Sequence, residues 1–320
     1  MKHFLAIADL SSSELKQYLD TAKKLKAEWR KRGNTPILKN KTLGMVFQKP
    51  SLRTRVSFDM AMLHLGGHAL YLSPNEIGLG QRESIADVAR VLSRYVDGIM
   101  ARVFAHAHVV ELAKYSRVPV INGLSDQEHP CQALADVFTI IEHLGKLKGL
   151  TVAFFGDGNN VARSLMYACA LGGARFVCAS PRGYALDDAS VQRARQMGGE
   201  VTVTDDPQAA ARDADVLYTD VWASMGQEDQ AAPRAEIFPP YQLNAALVAR
   251  AKPKSIVMHC LPAHRGVEIT DEVADGSHSV LFDQAENRMH AQKAILAILM
   301  ASPKPHQPLR AVQGKAKSKR

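Results

Sequence analysis

The stretch LGMVFQKPSLRTRVSF, residues 43–58, runs from an apolar segment through a polar turn into a helical pattern. LGMVF has the continuous apolar character of a buried strand. From Thr54 to Leu65 apolar residues recur at helical spacing, and Gly66-Gly67 closes the pattern. Between the two, Lys49, Arg53 and Arg55 crowd around Ser51 and Thr54. A helix N-terminus presents unpaired N–H groups and the positive end of its dipole, so cations and hydroxyls there suit an anion. Arginine meets phosphate oxygens two at a time. The nucleotide-binding pattern GxxxxGK[ST] is absent. The competing reading is a solvated basic loop whose arginines pair with nearby acids.

The same strand–turn–helix unit repeats outward from this stretch. Upstream, Ser11 and Glu14 fit a capping box, and Leu15, Tyr18, Leu19, Ala22 and Leu25 share one helix face. Downstream, ALYL, GIMARVF and VPVIN read as strands, with helices over Ser84–Tyr95 and Val109–Tyr115 between them. A long helix from about Cys131 to Leu144 and a GKLKG hinge lead to a second series. There TVAFFG, RFVCAS, EVTVT, DVLYTDV, SIVMHCL and SVLFDQ read as strands. This alternation predicts an α/β protein of two doubly wound domains, each with a central parallel sheet flanked by helices. The domains are expected over residues 1–145 and 146–286. A last helix, Arg288 to Met300 within 287–301, is expected to return across the first domain, and 302–320 reads as a basic, disordered tail.

Composition narrows the function classes. The chain of 320 residues is 46% hydrophobic and 22% charged, and it has no apolar run of the length that spans a membrane. The start, MKHFLAIADLSSSELKQ, shows no long apolar core of a secretory signal. Cys131, Cys169, Cys178 and Cys260 form no CxxC pair, which fits a reducing, cytoplasmic setting. The net charge of +8 comes mostly from six Lys and Arg beyond Pro303, without which it is +2. No nucleic-acid partner is therefore expected; weak polyanion contact through the tail is the alternative.

In open α/β sheets ligands bind beyond the carboxyl ends of the strands. The segments that follow the strands are KPSLRTR, ARVFAHAH, SDQEHPCQ, GDGNN, DVWASMG, HCLPAHRG and DQAENRMH, and the unusual polar residues gather there. GDGNNVARS has Val161 at the third glycine position of GxGxxG, and CASPRG lacks the ribose-binding acid, so no nicotinamide cofactor is expected. Asn159 and Asn160 suit either helix capping or a ligand. His129 can donate to a carbonyl oxygen or serve the core. Cys260 reads as core or as a reactive thiol. Asp220 and Ser224 suit an ammonium group or a cap. No cluster has zinc spacing, and no metal is expected.

KPSLRTRVSF, HPCQALAD, GDGNNVARS, DVWASMGQE, HCLPAHRG and AENRMHAQK, in this order and spacing, resemble the ornithine carbamoyltransferases over residues 3–301. SxRTR and HPxQ are shared by carbamoyltransferases generally, whereas DVWASMG with HCLPA is much more specific for the ornithine branch. The resemblance implies a first domain that binds carbamoyl phosphate and a second that binds L-ornithine. It implies that Ser51, Leu52, Arg53 and Thr54 hold the phosphate, with Arg102, His129 and Gln132 at the carbamoyl end. Asn160, Asp220, Ser224 and Met225 would bind ornithine, and Cys260, Leu261 and Arg288 would complete the site. Arg102, His129, Cys260 and Arg288 would be the catalytic set. The products would be L-citrulline and phosphate, formed without a cofactor in a homotrimer or a multiple of it.

Two positions depart from that pattern. Leu52 stands where many relatives have Thr, which leaves only its backbone N–H for the anion. Gly78 stands where many carry Gln on a loop that reaches the neighbouring subunit, so either Gln81 substitutes or that intersubunit contact is absent. The rival readings are a carbamoyltransferase for acylated ornithine or putrescine, and a nicotinamide-dependent dehydrogenase. The intact SMG segment, residues 224–226, favours free ornithine.

Overall fold

The computed structural model describes residues 2–223 and 231–301. The opening stretch lies on β1 (Thr42–Phe47) and the helix Leu52–His64. With β2 (His68–Leu72), β3 (Gly98–Arg102) and β4 (Val120–Leu124) it forms a parallel sheet of order β2-β1-β3-β4. β3 and β4 are buried along their whole length, which explains their unbroken apolar runs. Phe4 adds a bridge at the β4 edge: its N–H donates to Val120 O at 2.9 Å and its carbonyl accepts from Asn122 N at 2.8 Å. The helix Ser12–Arg32 starts at the expected capping box, and Leu15, Tyr18, Ala22 and Leu25 are buried beneath it.

The second sheet comprises β5 (Thr151–Phe155), β6 (Arg175–Ala179), β7 (Glu200–Thr204), β8 (Val216–Thr219) and β9 (Ile256–His259). It is parallel, in the order β7-β6-β5-β8-β9. Strand order reverses beside β1 in the first sheet and beside β5 in the second, and crevices open at such switch points. The helix Pro130–Leu144 leads from one sheet to the other. Among the described residues no helix is long and apolar enough to cross a membrane.

One expected strand is absent. SVLFDQ, residues 279–284, keeps a single bridge from Ser279 to Val257 and then enters the helix Leu281–Met300. That helix therefore begins seven residues before Arg288. Its N-cap, Val280, makes no side-chain cap bond, so no polar signal marks its start. The helix returns against the helices Ser12–Arg32, Leu52–His64 and Pro130–Leu144. Buried Lys26 fastens it, donating to Asn287 Oδ1 at 2.7 Å and to Glu142 Oε2 at 2.8 Å.

Candidate active site

A cleft of about 370 Å³ opens at the carboxyl ends of both sheets. Ser51, Leu52, Arg53, Arg102 and His129 line it from the first domain, Asn160, Asp220, Cys260 and Leu261 from the second, and Arg288 from the last helix. Ser51 is the N-cap of the helix Leu52–His64. Leu52 is the first helical residue, so its N–H has no partner within the helix. Its side chain is 74% exposed.

Thr54 is buried one turn down. Its Oγ1 accepts from Ser51 Oγ and from Arg288 Nη2, both at 3.1 Å. With both lone pairs engaged, its hydroxyl hydrogen is left for a third partner. Lys49 lies over the Phe104 ring at 5.1 Å and also lines the cleft. Arg55 does not join this group: it is exposed and stacks 4.1 Å from the centre of the Tyr71 ring. The anion cradle thus has Arg53 and Lys49 as its nearer cations, one fewer than the sequence expectation.

Arg102 ends β3 at a register shift, where Ala101 pairs with Asn122 but Arg102 with Leu124. Such an irregularity re-aims a side chain, here into the cleft. Arg102, His129 and Arg288 are all buried, and among the described residues Arg102 Nε, His129 Nδ1 and Arg288 Nε have no hydrogen-bond partner. Neither guanidinium lies within salt-bridge distance of a carboxylate among the described residues. Burial lowers the Arg102 pKa to about 10, helped by the like charges of Arg288 and Arg53. Burial also holds His129 well below the usual imidazole value, with Arg288, Arg102 and Lys49 adding to the effect. Unpaired buried cations cost several kcal/mol each, by about that order, unless an anion arrives. The cleft is built for one.

Gln132 is buried one helical turn from His129. Its Nε2 donates to Asp136 Oδ1 at 2.8 Å, leaving Oε1 without a partner. Asp136 also accepts from Gln284 Nε2 at 2.7 Å and from Tyr218 OH at 3.1 Å. Burial pushes its carboxyl up to about 7 against these three bonds. Gln284 Oε1 accepts from His259 N at 2.9 Å, so the network ties both domains and the last helix together behind the cleft.

In the second domain Asn159 caps the helix Asn160–Gly172 through its Oδ1. Its Nδ2 donates to Asp220 Oδ2 at 2.8 Å, and Asn160 Nδ2 donates across the domains to Ser125 O at 2.6 Å. Gly158 needs to be glycine because an added Cβ would stand 2.2 Å from Leu186 N. That contact is protein backbone, not a dinucleotide. Cys260 Sγ donates to Asp220 Oδ1 at 2.9 Å. Burial, then the Asp220 charge, holds the thiol pKa well above its usual value, so Cys260 is a donor and not a thiolate nucleophile. Ser224 and Met225 lie outside the described residues.

Asp220, His259 and Cys260 bring ligand atoms within 4.8 Å of one another. His259 Nδ1, however, accepts from Leu261 N at 2.9 Å, and its Nε2 lies 3.0 Å from Glu268 Oε1. Both ring nitrogens are occupied, which ill suits a metal. The first of these bonds ties down the main chain of Leu261, which lies in the left-handed region at φ 59°. Gly78 also has positive φ, 47°, and an added Cβ would lie 2.9 Å from Arg82 Cβ. A larger residue is disfavoured in this loop conformation, and Gln81 beside it is exposed.

The sequence reading passed over Asp136, Glu268 and Gln284. Asp136 stood inside HPCQALAD, four residues after Gln132, a spacing that places both side chains on one helix face. Glu268 carried no local signal, and Gln284, though inside DQAENRMH, was read as the end of the strand SVLFDQ.

Comparison with known proteins agrees with this geometry. Residues 2–142 match the family model for the aspartate/ornithine carbamoyltransferase carbamoyl-P binding domain, and residues 148–299 match the Asp/Orn binding domain. The ornithine carbamoyltransferase (anabolic) of Pyrococcus furiosus is 56% identical over 304 residues, covering 93% of this chain and 96% of that one. A solved structure of the ornithine carbamoyltransferase from Pyrococcus furiosus superposes with a TM-score of 0.91, covering 95% of this chain and 98% of that one. The Thermus thermophilus enzyme structure, 45% identical, gives a TM-score of 0.86 over 94% of this chain and 99% of that one. The chain belongs to the aspartate/ornithine carbamoyltransferase family.

Proposed function

We propose that the chain transfers the carbamoyl group of carbamoyl phosphate to the δ-amine of L-ornithine, giving L-citrulline and phosphate. The observation that carries this reading is the set of orphaned buried donors on Arg102, His129 and Arg288, gathered beside a helix N-terminus. The phosphate sits on the Ser51 cap, the N–H of Leu52, Arg53 and Thr54. The carbamoyl oxygen takes Arg102, His129, Arg288 and the remaining hydroxyl hydrogen of Thr54, and the carbamoyl amide donates to Gln132 Oε1.

The δ-amine attacks the carbonyl carbon, and negative charge builds on the carbonyl oxygen before the C–O bond to phosphate breaks. Preorganised donors aimed at that oxygen are worth about 10²- to 10³-fold each. A lysine-like amine has a pKa of about 10.4 in water, and the cationic cleft favours its neutral, reactive form. Asp220 with Asn160, Ser224 and Met225 receives the ammonium and carboxylate end of ornithine, while Cys260 and Leu261 border the reacting carbon. No covalent enzyme intermediate forms. Closure of the two domains excludes water as a competing nucleophile. Domain roles follow: residues 1–145 bind carbamoyl phosphate, 146–286 bind ornithine, and 287–301 complete the site. Citrulline formation from the two substrates is the direct assay, and its absence overturns the reading.

The working assembly is a homotrimer or a multiple of it, in the cytoplasm and in the biosynthetic direction that the Pyrococcus furiosus relative's name carries. β2 is an edge strand, and Val56, Leu63 and Leu70 stand exposed on it and on the adjoining helix Leu52–His64. An apolar edge of this kind calls for cover. Sedimentation equilibrium is expected to give three chains per particle or a multiple; a monomer contradicts the assembly.

A further inference from the structure

Behind the cleft, between the domains, lies a second cavity of about 380 Å³ whose wall includes Glu128, the residue before His129. Glu128 is only 3% exposed, and among the described residues no cation lies within salt-bridge distance of it. Its Oε2 accepts from Ile7 N at 2.7 Å and from Ser164 Oγ at 3.1 Å, and its Oε1 accepts from Ala8 N at 3.4 Å. Ser164 Oγ in turn accepts from His129 N at 2.8 Å. Ser164 belongs to the second domain, so the main chain of His129 is held from across the domain boundary.

The carboxylate therefore joins three pieces of chain. The turn Ile7–Asp9 is anchored to the first domain through the Phe4 bridge and through Asn122 Nδ2, which donates to Leu5 O at 2.9 Å. The same turn reaches the second domain, where Arg193 Nη2 donates to Ala8 O at 3.1 Å. His129 has no side-chain cap of its own at the start of the helix Pro130–Leu144. Its N–H depends on Ser164, and Ser164 depends on Glu128 to fix its hydroxyl.

We propose that Glu128 is a positioning residue for His129, acting through Ser164 and anchored by the N-terminal turn. This rests on the reading that His129 contacts the carbamoyl oxygen. A misplacement of about 1 Å at a reacting group costs on the order of 10²-fold in rate, so a partial loosening is expected to cost about tenfold. The acceptor role needs the ionised carboxylate, because a protonated acid has one oxygen turned donor. Burial pushes the Glu128 carboxyl up to about 7, and the Ile7 and Ala8 N–H groups pull the other way. Ionised above that value, it loses the three-donor arrangement as the pH falls through it.

The other charged groups around this cavity are Asp9, His106, Arg163, Asp187 and Arg193, with Tyr167 beside them. Arg163 is engaged with Ser190 Oγ, Gln127 O and Asp187 Oδ2, all within 2.9 Å, and Arg193 with Ala8 O and Asp9 Oδ1 within 3.3 Å. His106 Nδ1 lies 2.8 Å from Ser125 Oγ.

The test is Glu128→Gln, whose amide mimics the protonated acid. At pH 8 its kcat is expected to fall about tenfold with the KM for ornithine within about twofold. The ratio of wild-type to variant kcat is expected to shrink toward one by pH 6; ionisations common to both proteins, including that of the substrate amine, cancel in it. An unchanged kcat, or a ratio independent of pH, overturns the proposal. Should Glu128→Gln fail to fold by circular dichroism, Ser164→Ala is read by the same kcat and KM split, and an unchanged kcat there overturns it. His129→Ala separates the two claims. If that variant keeps its kcat, the role of His129 itself fails and the proposal with it. If it is inactive while Glu128→Gln is fully active, only the positioning claim fails.

Discussion

Arg102→Met is expected to lower the rate of citrulline formation by about 10³-fold while leaving the unliganded protein as stable as before or more stable. Both halves follow from one observation. The Arg102 guanidinium is buried, its Nε has no partner among the described residues, and the like charges of Arg288 and Arg53 disfavour it further. Replacing such a cation with an apolar side chain of similar length removes an uncompensated desolvation cost, and a gain of about 1 kcal/mol is the expected order. The same change removes a donor that strengthens only as charge develops on the carbonyl oxygen, so kcat falls and not merely substrate affinity. Steady-state kinetics and urea unfolding on the two proteins read both quantities. Activity within tenfold of wild type, or a clear loss of stability, contradicts the assignment of Arg102 as an anion-facing cation.

Arg53→Ala is the second large effect, and it acts on the leaving group. Arg53 lines the cleft at the start of the helix Leu52–His64, where the free N–H groups of the first turn cannot by themselves neutralise a dianion. The expected result is a loss of about 10²- to 10³-fold in kcat/KM for carbamoyl phosphate, with the larger part in kcat. Near-normal activity at saturating carbamoyl phosphate removes Arg53 from the phosphate site. Leu52 makes this test cleaner, because its exposed side chain offers no hydroxyl to compensate.

Strands buried on both faces were legible as apolar runs, as in GIMARVF and VPVIN, and the part-exposed edge strands β2 and β7 were legible in ALYL and EVTVT. SVLFDQ shows the limit of that signal. A short apolar run such as Val280-Leu281-Phe282 reads the same in a strand and in the first turn of a helix, and Val280 supplies no cap to separate them. Within the site, the residues at strand ends were readable because the crevice beyond the strands collects them: Arg102 at the end of β3, Asp220 after β8 and Cys260 after β9. Arg55 was not, because the ring that takes it, Tyr71, sits on β2, a separate element from the helix that carries Arg55. The supporting carboxyls were also hidden. Asp136 meets Tyr218 and Gln284 at separations of 82 and 148 residues, and Glu128 meets Ile7 across 121. Only folding brings such partners together.

The identity of the amine that receives the carbamoyl group decides the function. The direct measurement is carbamoyl transfer from carbamoyl phosphate to L-ornithine, N-acetyl-L-ornithine, putrescine and L-aspartate at equal concentrations, read as the carbamoylated product and phosphate. Ornithine is expected to give citrulline with a kcat/KM at least about 10²-fold above each of the others, the size of preference that a missing or blocked polar contact produces. A preference for an acylated ornithine, putrescine or aspartate, or no transfer to any of the four, contradicts it.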